Sequence, residues 1–103
     1  MSYNIELTDT FNNDLLEISL YISIDLQQPN AAANLTKNIT DHIRLLGDNP
    51  YLFKSFESEP WHSRGWRYFP VNNYLVFYSV NDTTQTVKVI RVVYGARNIE
   101  QLF

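Results

Sequence analysis

The side chains able to move protons or hold a phosphate in this chain are two histidines, seven tyrosines and its arginines, gathered mostly in the second half of 103 residues. His62, Arg64, Arg67, Tyr68, Tyr74, Tyr78, Arg91, Tyr94 and Arg97 all fall there. Zero cysteine removes disulfides, thiol catalysis and Cys-zinc sites. No Gly-rich phosphate loop, H-E-x-x-H run or serine nucleophile elbow is present, and His42 and His62 lie too far apart to give a metal spacing. No cofactor and no metal are therefore expected. What these residue types can support is metal-independent RNA cleavage. That reaction needs a base for the 2′-hydroxyl, an acid for the leaving oxygen and cations for the charge growing on the phosphate. His62, the tyrosine hydroxyls, Arg64, Arg67, Arg91 and Arg97 supply those types. His62 reads more readily as a satisfied loop residue, and His42, mid-helix beside Asp41 and Arg44, as a solvated or half-buried side chain.

The elements that must position them come from Trp66 to Arg97. Tyr74 to Val80 is almost wholly apolar or aromatic and Val87 to Tyr94 is rich in β-branched residues, so both read as strands. Asn81-Asp82-Thr83-Thr84 supplies the turn between them, and Asn72-Asn73 joins Tyr74 to a strand over Trp66 to Phe69, which makes an antiparallel meander. Alternation puts Tyr74, Val76, Tyr78 and Val80 on one face and Val87, Val89, Arg91 and Val93 on one face of the next strand. Arg91 interrupts an apolar row there, so it either meets an acid such as Glu17 or emerges as a ligand for phosphate or a partner carboxylate. Arg97 follows Gly95-Ala96 past the last strand, where a cation is displayed rather than packed.

Upstream, Tyr3 to Leu7 reads as a first strand and Thr8 or Asp9 as a helix cap. Phe11, Leu15, Ile18, Ile22 and Leu26 recur at three and four, predicting a helix to about Leu26. Gln27-Gln28-Pro29 breaks it. Pro29 suits the first turn of a second helix, which carries Ala32, Leu35, Ile39, Ile43 and Leu46 on one face until Gly47 and Asn49-Pro50 stop it. So short a connection makes the helices an antiparallel hairpin, and their stripes face each other or jointly face the sheet. The expected fold is α+β in two layers: N-terminal strand, helical hairpin, three-stranded antiparallel meander. Tyr51 to Gly65 reads as a loop in which Phe53, Phe56 and Trp61 pin the connection, or in which Lys54, Glu57, Glu59, His62 and Arg64 carry chemistry.

One domain spanning 1–103 is expected, with a core of its own. Neither a signal-peptide pattern nor an apolar run long enough to span a bilayer is found, so a cytoplasmic protein without a membrane partner is expected. The formal net charge of −3 does not favour sequence-neutral phosphate binding. Its distribution is uneven. Residues 1–50 set Lys37 and Arg44 against Glu6, Asp9, Asp14, Glu17, Asp25, Asp41 and Asp48, whereas the basic residues outnumber the acids in 51–103.

The runs N-Y-L-V-F-Y-S-V and V-K-V-I-R-V-V-Y-G-A-R-N-I, preceded by a strand and two long helices, resemble the RelE/ParE superfamily of bacterial type II toxins over nearly the whole chain. The resemblance implies a toxin that arrests growth and is neutralised by a cognate antitoxin whose C-terminal segment orders on binding. Its target is then either ribosome-bound mRNA, as a metal-independent endoribonuclease, or DNA gyrase, inhibited without nuclease chemistry. A family member that only binds its antitoxin is the alternative. In the RelE branch an active-site arginine lies at the strand end that Arg97 resembles, and basic residues lie near the position of Arg67. The same branch has an arginine where this chain has Leu75 and a functional tyrosine where it has Phe103, which can neither donate nor accept a proton. If the site is catalytic, Arg97, Arg67, His62, Arg64 and Tyr94 are the residues expected to form it.

Overall fold

The computed structural model describes residues 2–95. Arg97 and Phe103 lie outside them. The elements run β1 (Asn4–Leu7), α1 (Asp9–Leu20), a π-helical turn (Tyr21–Asp25), α2 (Pro29–Asp48), β2 (Lys54–Ser55), β3 (Trp66–Val71), β4 (Tyr74–Asn81) and β5 (Thr86–Tyr94). They build one five-stranded sheet in the order β1-β5-β4-β3-β2. The meander β3-β4-β5 is antiparallel, as expected. β1 lies parallel to β5, which a helical hairpin crossing one face of the sheet makes possible. The two-residue β2, inside the stretch read as a loop, pairs with β3 at the other edge.

The core sits between the helices and one face of the sheet. Ala32, Leu35, Ile39, Ile43 and Leu46 are the buried residues of α2, the five that its periodicity selects. Four of them, with Phe11 of α1, pack on Phe69, Val71, Val76, Tyr78, Val87, Val89 and Val92. The α1 stripe stops short of its expected end. The Leu26 amide bonds back to the Tyr21 carbonyl at 3.0 Å, a five-residue step, and this wider turn throws Leu26 out of phase so that it is 49% exposed. Gln27, at φ 54°, reverses the chain into Pro29.

A β-bulge in β5 corrects the expected strand faces. Tyr78 faces Val89 and Phe77 faces Arg91, so Ile90 is the extra residue and the alternation slips by one. Val92 rather than Val93 therefore joins the helix-facing row beside Val76. Two α1 contacts hold the bulge. The Thr8 hydroxyl caps α1 by accepting from the Phe11 amide at 3.0 Å and donates to the Ile90 carbonyl at 2.8 Å. Asp14 accepts from Arg91 Nε at 3.0 Å and Nη2 at 2.9 Å, and from the Val92 amide at 3.3 Å.

The opposite sheet face carries a second apolar cluster, in which Phe77 is fully buried and meets Phe56, Trp66 and Tyr68 at ring-centroid distances of 4.9, 5.9 and 6.2 Å. Trp61, 5% exposed, packs beside Phe56 and Trp66 and so fastens the 56–65 loop to the sheet.

At the end of the sheet carrying the β4-β5 turn, Tyr3 and Tyr51 donate to Asp82 at 2.8 and 2.7 Å, clipping the N-terminus and the 51–53 segment to that turn. The hydrogen bonds to Asp82 push Tyr51 up to about 12 and raise Tyr3, and the same bonds hold Asp82 below the usual carboxylate range. The signs follow from linkage. The phenol contributions are complete below about pH 10 and vanish as pH rises through the folded values, and the Asp82 contribution is complete above about pH 4 and fades as pH falls through its folded value. In Asp82→Asn, spectrophotometric titration is expected to show two phenols ionising closer to their ordinary pH. Identical titration curves for the two proteins would mean the clip is open in solution.

Candidate functional site

Arg67 stands on the helix-facing side of β3, where Arg67, Phe69 and Val71 alternate inward. Its Nη1 donates to the Phe53 carbonyl at 2.6 Å and its guanidinium lies 4.8 Å from the Tyr51 ring centroid. This cation thus holds the segment after α2 against the sheet. His62 is exposed on the 56–65 loop, with Nδ1 3.2 Å from the Phe56 carbonyl and 3.5 Å from Glu57. Arg64, exposed on the same loop, stands beside it in sequence. Tyr94 is at the far end of β5, packed edge to face on Tyr74 with ring centroids 5.7 Å apart. Arg97 lies outside the described residues.

Strand register measures how far apart these groups are. Arg67 pairs with Tyr78 and Tyr94 with Tyr74, four positions away on β4. That is roughly 13 Å along the strands, with two strand spacings across. His62 and Arg64 share one loop, Arg67 belongs to the inner face and Tyr94 to the opposite end of the sheet. Arg91 has the acid its burial demands, but the partner is Asp14 rather than Glu17, because the bulge turns the guanidinium toward the first half of α1. His42 is half-buried, its ring stacked on Phe69 at 5.3 Å and its Nδ1 2.6 Å from the Asn38 carbonyl.

What the structure does form is a groove of about 820 Å³, where the bend of the helical hairpin overhangs the Asn72-Asn73 end of the sheet. Asp14, Glu17 and Tyr21 line it from the first helix, and Tyr74, Arg91 and Tyr94 from the sheet. Burial raises Tyr74 above the ordinary phenol range, with added contributions from Tyr21 and Tyr94. Ile18 of α1, with Ile22 and Leu26 at the bend, adds apolar lining. Of these residues the sequence singled out Tyr74, Arg91 and Tyr94 as chemistry, and Glu17 as an acid for Arg91. Tyr21 drew notice only as a neighbour of the apolar stripe, and nothing in its spacing from Tyr74 or Tyr94 signals that they meet. Among the described residues no cluster of three or more metal-ligating side chains occurs, and no helix is long and apolar enough to cross a membrane.

Residues 5–99 match the family model described as the ParE toxin of type II toxin-antitoxin system, parDE. A search of curated proteins finds no match. Among solved structures, the chromosomal ParDE system of P. aeruginosa is similar with a TM-score of 0.71 at 17% identity, over 90% of this chain and 96% of that one. A mutant of the E. coli toxin RelE in its free state gives 0.66 at 12% identity, over 93% and 86%. The RelBE2 toxin-antitoxin complex of Mycobacterium tuberculosis gives 0.61 at 20% identity, over 91% and 99%. At these identities the likeness is one of fold.

Proposed function

We infer the function from one premise: this chain belongs to the ParE toxin family of type II toxin-antitoxin systems. It arrests growth when free, is held inactive by a cognate antitoxin, and acts by binding DNA gyrase rather than by cutting ribosome-bound mRNA. The observation that carries the choice of target is the dispersal of His62, Arg67 and Tyr94 over one loop, the inner sheet face and the far strand end. General acid-base cleavage needs its groups within hydrogen-bond reach of one phosphate, and roughly 13 Å of strand separates Arg67 from Tyr94. On this reading Arg64 and Arg97 are contacts to the target, Arg67 is a positioning residue for the 51–53 segment, and His62 is a loop residue.

The test uses purified, antitoxin-free protein in two assays. Gyrase supercoiling is expected to fall, and primer extension on a translated mRNA is expected to show no new 5′ ends with or without ribosomes. His62→Ala is expected to inhibit gyrase as the native protein does. Ribosome-dependent cuts within codons, lost in His62→Ala or Arg97→Ala, would overturn the gyrase reading in favour of the endoribonuclease. Expression without any growth defect would instead favour a family member that only binds its antitoxin.

A further inference from the structure

Three tyrosines from separate elements border the groove: Tyr21 at the helix bend, Tyr74 at the start of β4 and Tyr94 at the end of β5. Tyr74 and Tyr94 meet edge to face at 5.7 Å, and Tyr21 is near enough to raise the Tyr74 pKa. The three phenols thus offer ring faces and hydroxyls to whatever enters the groove.

Charge decides what such a groove holds. Asp14 is spent on Arg91 at 2.9 Å. Glu17 lines the same wall and is exposed, and its carboxylate makes no hydrogen bond or ion pair among the described residues, acting on Arg91 only at a distance. Among the described residues, two carboxylates against one guanidinium leave the groove lining negative. No compensating cation comes from α1 or the bend, because the first basic residue of the chain is Lys37. A phosphate or carboxylate ligand is repelled. A basic side chain gains both the attraction of the ring faces and the Glu17 carboxylate.

We propose that Tyr21, Tyr74, Tyr94 and Glu17 form a cage for one arginine or lysine side chain projecting from an otherwise apolar segment of the antitoxin. A groove of about 820 Å³ has room for such a side chain and the residues flanking it. Ile18, Ile22 and Leu26 line the groove as well and give an apolar segment a surface to cover. The proposal rests on the toxin reading for the identity of the partner, and it names the chemistry that this partner must carry.

The direct test is an NMR titration with N-acetyl-arginine amide, and with N-acetyl-norleucine amide and N-acetyl-glutamate amide for comparison. The arginine probe alone is expected to give saturable shifts of the Tyr21, Tyr74 and Tyr94 ring protons, with affinity reduced about tenfold in Glu17→Gln. Glu17 is exposed, so this variant folds. Equal shifts from norleucine, no shifts from arginine, or affinity unchanged in Glu17→Gln would each overturn the cage. Binding that appears only in Arg97→Ala would overturn the assignment to a partner, because the chain's own arginine would then be the occupant. With the antitoxin encoded beside the gene, Glu17→Lys is expected to weaken the complex at least about tenfold, and an unchanged complex would overturn the proposal. Absence of growth arrest by the native chain would strike the toxin reading alone, since the probe titration reads the cage independently.

Discussion

Asp14→Ala is expected to cost about 3 kcal/mol of stability and roughly 15 °C in melting temperature, as measured by denaturant and thermal unfolding. Asp14 and Arg91 side chains are 13% and 24% exposed, so water compensates either partner poorly when the other is removed. The aspartate also accepts the Val92 amide next to the bulge. Its loss therefore takes the carboxylate from both the guanidinium and the Val92 amide, and Asp14→Ala is expected to be at least as damaging as Arg91→Ala. Replacing the pair together, Asp14→Leu with Arg91→Met, is expected to recover most of the loss, because two apolar side chains leave no charge to solvate. A cost under about 1 kcal/mol for either single change would place the pair among solvent-screened surface bridges. The same measurement bears on function, since an Arg91 needed to hold the bulge is not available as a ligand for phosphate.

Phe77→Ala is expected to cost about 4 kcal/mol, with the tryptophan emission moving to longer wavelength. Phe77 is fully buried and its ring touches Phe56, Trp66 and Tyr68, so truncation opens a cavity beneath the 56–65 loop. Trp61 and Trp66 would then see water. The adjacent Tyr78 is the natural control. It is equally buried on the helix-facing side, and its hydroxyl has no hydrogen-bond partner among the described residues although it lies near the Phe53 backbone. The Phe53 carbonyl already accepts from Arg67. Tyr78→Phe removes a buried hydroxyl that contributes no bond and is expected to change stability by no more than about 1 kcal/mol in either direction. Comparable losses in both variants would mean that ring packing at the two positions is not what separates the faces. If the back-face cluster serves to hold the loop, Phe77→Ala will also increase amide exchange across His62 and Arg64 before global unfolding.

The α+β layout, the order of elements, the hairpin of helices and the five buried residues of α2 follow from periodicity, because a repeat of 3.6 or 2 is a local property of the chain. Arg91 was expected in an apolar row that the bulge instead gives to Val92, but its need for an acid was legible from its apolar neighbours. Which acid was not. Asp14 and Glu17 lie one turn apart on α1, and only the extra residue Ile90, held by Thr8, turns the guanidinium toward Asp14. The end of α1 escaped for a related reason: a π turn changes the winding after Leu20 without altering the apolar spacing that predicts a helix. Residue types suited to proton transfer were visible in the chain, but their gathering was not. Arg67 and Tyr94 belong to strands separated by β4, and the meander carries them apart. Tyr21, Tyr74 and Tyr94, distant in sequence, meet at one groove because the helix bend overhangs the sheet end. Periodicity determined which faces are buried, and tertiary packing alone decided which polar side chains share a site, since that depends on strand order, bulge and bend rather than on spacing along the chain.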